Sequence, residues 1–312
     1  MQVLEALPGL ALLTNSDHGY AMTGPKSLRF SYEFFPPRND NMVRKLWRSA
    51  GQLERLNPLF FSMTYGALGS AQKISIDSAI EMHHESPVPV AAHMTCANAK
   101  ANQIEQVVNH YYESGIRRFV ALRGDGVENT DGVTAYGHAS AIELVGVLRK
   151  LGEVDISVAA YPEVHPQALD AVSDLQHLKR KLDAGANRAI TQYFFDADCF
   201  LRFRDQAERI GIDKPIIPGI LPVHDYQRVK AFSERCGASV PTHYEAKFAR
   251  VENNPSAQYR LSLELAVELC QRLSREGVDH FHLYTLNQTD MCLDISLALG
   301  ASVTAPQLNS AA

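Results

Sequence analysis

The chain is poor in tryptophan, with one in 312 residues, and it carries no excess of positive charge. Lys and Arg number 30 against 35 Asp and Glu, and no long basic stretch occurs, so a nucleic-acid partner is not expected. The five cysteines (Cys96, Cys199, Cys236, Cys270, Cys292) are scattered without a C-x-x-C pair. That excludes the usual disulfide frameworks and structural zinc sites, and fits reduced thiols in the cytoplasm. Neither a G-x-G-x-x-G turn after a strand nor a P-loop is present, so the common nucleotide cradles are missing. No segment reaches the ~18 unbroken apolar residues of a membrane helix. The apolar opening MQVLEALPGLALL is broken by Pro8 and Gly9 and lacks a basic leader. Residues 1–26 therefore read as an N-terminal extension, a candidate oligomer contact, rather than a signal peptide. Low-complexity blocks and Gly/Ser linkers are absent too, and nothing marks a second domain.

What is present is a repeat. Polar residues closing short apolar runs recur roughly every thirty positions, at Glu33, Thr64, His93, Asp125, Tyr161 and Gln192, each followed by a helical pattern. This predicts a single α/β domain, a (β/α)8 TIM barrel over residues 27–303 with a tail at 304–312, and such a barrel needs about 250 residues. Helices are expected over Met42–Leu56, Ile104–Ser114, Ile142–Leu151, Leu169–Ala184, Phe200–Ile210 and Tyr226–Cys236. Glycines at 115, 152, 185, 211 and 237 follow them as left-handed caps. PIIPGIL (Pro215–Leu221) and HFHLYTL (His280–Leu286) supply the last two strands. Between them lies a double-length interval, read as an irregular excursion at Ala238–Pro255 and an extra helix at Ser256–Gly277, before a final helix at Thr289–Gly300.

The strand ends carry the chemistry, because barrel active sites collect there. Glu33 lies among Tyr32, Phe34 and Phe35, and an apolar wall favours the neutral form of a carboxyl, which suits a general acid. A structural acid paired with an arginine across the barrel fits equally. Arg123-Gly124-Asp125-Gly126 fits a ligand approach or a solvated turn. Tyr161, Glu163 and His165, made rigid by Pro162 and Pro166, suit a binding edge. Lys179, Arg180 and Lys181 read as a solvated helix face unless the ligand bears phosphates. Gln192 beside Tyr193, Phe194 and Phe195 suits a flat heteroaromatic ring, and Phe194 and Phe195 fit equally as caps on the barrel core. His280 and His282 point to the same side of a strand; hydrogen-bonded core histidines are the default reading, and no metal site is assigned.

Eight segments match one family in order: YEFFPPR (Tyr32–Arg38), MTYGA (Met63–Ala67), AAHMTC (Ala91–Cys96), ALRGD (Ala121–Asp125), SVAAYPEVHP (Ser157–Pro166), LKRKLDAGANRAITQYFFD (Leu178–Asp196), IIPGILPV (Ile216–Val223) and FHLYTLN (Phe281–Asn287). The sequence resembles bacterial methylenetetrahydrofolate reductases. The resemblance implies non-covalent FAD, reduced by NADH or NADPH, and hydride delivery to 5,10-methylenetetrahydrofolate in one-carbon metabolism. It implies that Glu33 is the acid that opens the folate ring, that Asp125 tunes flavin and folate, and that Gln192 and Phe232 meet nicotinamide or pterin. It further implies FAD contacts at Thr64, Tyr65, Ala67, His93, Arg123, Gly124, Asp125, Tyr161, His165, Ala168, Asp174, His177, Arg180 and Lys181. Thr64 and Asp125 also fall among the expected substrate contacts. Homo-oligomers, dimeric or tetrameric, are expected from the family, and the length corresponds to the barrel without a regulatory extension.

Three positions depart from the family pattern. Gln288 stands for a substrate-contacting arginine, Arg228 for a glutamine near the substrate face, and His177 for an asparagine near FAD. These leave the reductant and the physiological direction open, oxidation included. Two other chemistries use the same barrel: a non-redox folate-binding one-carbon transferase, and a metal-dependent hydrolase built on His93, His165, His280 and His282.

Overall fold

The computed structural model describes residues 27–66, 70–97, 99–124 and 140–303. Nine short strands form one parallel sheet: β1 (Arg29–Phe34), β2 (Phe61–Met63), β3 (Val90–Thr95), β4 (Arg118–Leu122), β5 (Asp155–Ala160), β6 (Arg188–Thr191), β7 (Ile216–Ile217), β8 (Gly219–Ile220) and β9 (His280–Tyr284). Their order is β7-β6-β5-β4-β3-β2-β1-β9-β8. β7 and β8 are the two halves of the expected seventh strand, divided at Pro218, which has no N–H to give a ladder. One half pairs with β6 and the other with β9, so the split strand joins the two edges into a barrel. The Pro218 carbonyl accepts the His282 N–H at 3.0 Å across this seam. At Gly219 a Cβ would lie 2.2 Å from the Thr191 carbonyl oxygen, so the seam requires glycine there.

The strands are buried on both faces, as a parallel barrel demands. Phe30, Tyr32, Phe34, Phe281 and Leu283 pack beneath the helices, while Phe60, Ala91, Val120, Ile190 and Ile217 fill the barrel interior. The helices are α1 (Asp40–Glu54), α2 (Ser70–Glu85), α3 (Ala101–Glu113), α4 (Ala141–Arg149), α5 (Ala171–Asp183), α6 (Ala197–Arg209), α7 (Tyr226–Cys236), α8 (Thr242–Ala249), α9 (Pro255–Arg275) and α10 (Asp290–Ala298). Side chains of Asn39, Ser140, Asp170, Asp225 and Asn254 accept backbone N–H groups at helix starts, which sets where those helices begin.

One expectation is corrected. The interval Ala238–Pro255 is not irregular: it contains α8, whose Tyr244 and Phe248, one turn apart, stack against Phe195 and Tyr226. Among the described residues, no helix is long and apolar enough to cross a membrane.

Candidate functional site

Two cavities, of about 300 and 470 Å3, open at the C-terminal ends of the strands and share Tyr65, Thr95, Leu122, Ala159 and Tyr161 as walls. The inner, smaller one lies over the barrel axis. Glu33 projects into it from β1 with its side chain 13% exposed. Its Oε2 stands 3.5 Å from His93 Nε2 and 3.8 Å from His282 Nε2. No arginine pairs with Glu33 among the described residues; its charged-group neighbours are two imidazoles, so the arginine-paired reading does not hold. Burial holds His93 down to about 4, against the opposing pull of the Glu33 carboxylate, and the ring is therefore neutral at neutral pH. His93 Nε2 is buried without a hydrogen-bond partner, close to Glu33 but not aligned with it.

The wall opposite is aromatic. Gln192 Oε1 accepts the Tyr193 N–H at 3.0 Å, which leaves its NH2 group as the remaining donor. Phe232, 42% exposed, stacks on Tyr193 at 6.1 Å and 20°. Tyr284 donates its hydroxyl to the Thr191 carbonyl at 2.7 Å. Thr64 also lines this cavity.

The outer cavity is polar and cationic. Arg123, Gly124, Tyr161, His165, Ala168, Asp174, His177, Arg180 and Lys181 line it. Gly124 has φ +85°, and a Cβ there would meet the Thr95 side chain at 2.8 Å, so this turn is available to glycine alone. Arg123 hydrogen-bonds Gln167. The Gln167 N–H in turn donates to His165 Nδ1 at 3.0 Å, and Asp174 accepts the His165 backbone N–H at 2.9 Å. Lys181 is not on a solvated face: it is 6% exposed, donates to the Ala159 carbonyl at 2.5 Å, and burial pushes its ammonium down to about 8. Burial, then the charges of Lys181 and Arg180, lower the pKa of His177.

Other expected site residues lie elsewhere. Ala67 and Asp125 fall outside the described residues. Arg228, with its side chain 88% exposed, pairs with Asp225 at 3.2 Å, and exposed Gln288 donates its backbone N–H to Thr285; neither lines either of these two cavities. His280 and His282 both hydrogen-bond Ser31 Oγ, at 2.9 and 2.7 Å, inside the barrel. They are core histidines linked through a serine, as the default reading has it.

The sequence did not single out the clamp that holds Glu33. Thr285 donates its hydroxyl to the Glu33 carbonyl at 2.6 Å. Asn287 accepts the Phe35 N–H at 2.8 Å and donates to the Phe35 carbonyl at 2.9 Å. To reach them, Leu286 and Asn287 adopt φ of +48° and +54°, a conformation that is costly outside glycine. The Thr-Leu-Asn triplet after β9 is the one local signal, and its partners are more than 250 residues away in the chain.

A closed parallel barrel with an acid over its axis, an aromatic wall and an adjoining cationic cleft on the C-terminal face has the layout of a βα-barrel enzyme. The family model for methylenetetrahydrofolate reductase matches residues 21–300. The 5,10-methylenetetrahydrofolate reductases of Pectobacterium carotovorum and Escherichia coli are 43% and 41% identical over 274 residues, covering 88% of this chain and 90% and 91% of theirs. Methylenetetrahydrofolate reductase (NADH) 1 of Arabidopsis thaliana is 34% identical over 284 residues, spanning 87% of this chain and 48% of its own. The chain belongs to the methylenetetrahydrofolate reductase family, in its bacterial type. A solved Clostridium thermocellum protein that binds two copies of 5-methyl-5,6,7,8-tetrahydrofolic acid shares the fold, with a TM-score of 0.58 at 13% identity over 88% of this chain and 95% of that one.

Proposed function

We propose that the protein is an FAD-dependent 5,10-methylenetetrahydrofolate reductase working by a ping-pong route. When bound, FAD would supply the transfer of a hydride from NADH or NADPH to the folate, giving 5-methyltetrahydrofolate. The observation that carries this reading is the pairing of two adjoining cavities, one acidic and aromatic, one cationic. Together they suit a long ligand with a flat ring at one end and phosphates along its length. In this reading Arg123, Arg180 and the Gly124 turn take the phosphates; they line the outer cavity together with Tyr65, Tyr161, His165, Ala168, Asp174, His177 and Lys181. Thr64 and His93 stand at the inner end; Ala67 and Asp125 complete the proposed FAD set.

Glu33 acts as the general acid. It gives a proton to the folate nitrogen whose bond to the methylene carbon must break, and the neutral His93 beside it does not compete as a cationic donor. Gln192 offers its amide NH2 to the incoming ring, and Phe232 offers a face for stacking. Nicotinamide and pterin make the same demands on these two residues, so they bind in turn. Thr64, Asp125, Arg228 and Gln288 complete the proposed substrate contacts, the last two by side-chain movement from their present outward positions.

Glu33→Gln separates the half-reactions. Anaerobic NADH should still bleach the flavin bands of the variant at close to the wild-type rate, while 5,10-methylenetetrahydrofolate no longer reoxidises them. Equal loss of both steps would refute Glu33 as a folate-specific acid.

A further inference from the structure

Reduction of the methylene group consumes one hydride and one proton, so under the reading of Glu33 as the folate acid its carboxyl must be reprotonated in every turnover. A ligand filling the inner cavity stands between Glu33 and water at the top of the barrel. The side chains below Glu33 form another route. His282 Nε2 lies 3.8 Å beneath Glu33 Oε2, His282 Nδ1 is 2.7 Å from Ser31 Oγ, and Ser31 Oγ is 2.9 Å from His280 Nε2. His280 opens β9 at the N-terminal end of the barrel, 8% exposed, in register with exposed Arg29 and near Arg188, which is itself paired with Asp155. These groups alternate inward along β1 and β9, giving a polar column through an interior otherwise filled by Phe60, Val120, Ile190 and Ile217.

We infer that Ser31, His282 and His280 form a proton relay that recharges Glu33 through the barrel interior from the N-terminal mouth. The serine hydroxyl has one hydrogen, so it donates to one imidazole and accepts from the other. Two arrangements satisfy this. In the first, His280 Nε2–H donates to Ser31, Ser31 donates to His282 Nδ1, and His282 presents Nε2–H to a Glu33 carboxylate. In the second, His282 Nδ1–H donates to Ser31, Ser31 donates to His280 Nε2, and His282 presents a bare Nε2 to a protonated Glu33.

Passage from the first to the second moves one proton upward. The His282 Nε2–H bond breaks as Glu33 Oε2–H forms, the Ser31 proton passes to His282 Nδ1, and the His280 Nε2 proton passes to Ser31. His280 takes a replacement at Nδ1 from water at the mouth. Each imidazole carries one proton before and after, which suits the burial that disfavours the His280 cation. The 3.8 Å gap is the long link, and catalytic contacts of this kind shorten when substrate binds.

The test uses the full-length flavoprotein with Ser31→Ala and His280→Gln, the latter keeping a hydrogen-bonding group against Ser31 but carrying no relay. Each should slow folate-dependent flavin reoxidation roughly a hundredfold or more, the scale of lost proton transfer, with NADH-dependent bleaching unchanged. The curved proton inventory in mixed H2O and D2O expected of the wild type should become linear. A readout that needs no cofactor is the imidazole 15N spectrum. Because His280 does not touch Glu33, its shifts should respond to Glu33→Gln when Ser31 is present and not when Ser31 is Ala. Wild-type reoxidation in a folded Ser31→Ala protein, or in His280→Gln should the former not fold, would overturn the relay while leaving Glu33 as the acid. An active Glu33→Gln protein would instead overturn the assignment of Glu33.

Discussion

Asn287→Ala tests the clamp behind the proposed acid. The substitution removes two amide contacts to Phe35, at 2.8 and 2.9 Å, from a residue 5% exposed. Each bond contributes about 1 kcal/mol, and a partly buried N–H and C=O left unpaired add roughly as much again. The backbone supplies a further contribution: at φ +54° asparagine is tolerated, whereas alanine pays about 1 kcal/mol more. The sum is roughly 5 kcal/mol, a large share of the ~5–15 kcal/mol typical of a domain. Asn287→Gly loses the same bonds but adopts this φ without strain, so it should cost about 1 kcal/mol less than the alanine variant. Urea unfolding of both, with flavin bound, measures the difference, and folate-dependent reoxidation in the glycine variant shows whether a loosened Phe35 displaces Glu33 two residues before it. Equal midpoints for the two variants, or a less stable glycine variant, would refute the strain argument. Wild-type stability in both would refute the clamp.

Two further outcomes follow from particular groups. Gly124→Ala places a methyl against Thr95 and forces alanine to φ +85°, so FAD retention should weaken by roughly tenfold, or about 1.4 kcal/mol, measured as released flavin fluorescence after dilution; undiminished retention would remove this turn from the cofactor site. His93 is held near 4 in the folded protein against its ordinary 6.5, so between those values the unfolded chain binds the extra proton and stability falls as pH falls; His93→Gln should flatten the decline in unfolding free energy, measured by urea titration between pH 6.5 and 4.5, by up to about 1.4 kcal/mol per pH unit, and an unchanged slope would contradict the burial of a neutral ring.

The barrel was legible because each repeat restates the same local rules. Tyr226–Cys236 is helical over the expected span, since Asp225 caps its start and Gly237, at φ +71°, ends it. Other helix starts shifted by a few residues where the capping side chain, such as Asn39 before α1, precedes the first apolar position. The division at Pro218 was visible as a residue but not as a seam, because its meaning depends on β6 and β9 being the two edges to join. α8 was missed because its apolar residues are few and gain a face only when Phe195 and Tyr226 arrive from elsewhere. Glu33, Gln192, Tyr161 and His165 were findable at strand ends. The outward aim of Arg228 was not, since a helical position near a site does not say which way a long side chain runs.

The partners of Glu33 show why the remainder was out of reach, and also why the barrel suits this chemistry. His93 comes from β3 and His282 from β9, and Thr285 just past β9 holds the Glu33 backbone carbonyl, so two strands remote from β1 in sequence converge on one residue. In a closed parallel sheet such convergence is automatic, because neighbouring strands bring their inward residues into shared layers. The same closure divides the labour of a reaction that needs a hydride and a proton. The proposed hydride carriers lie across the top of the barrel, in the outer cavity and along the aromatic wall. The proton, on the relay inferred from Ser31, His282 and His280, comes up the axis from the opposite end. If the two supplies share no side chain except at Glu33, damage to one should leave the other intact. That independence is what the separate half-reaction measurements are able to detect.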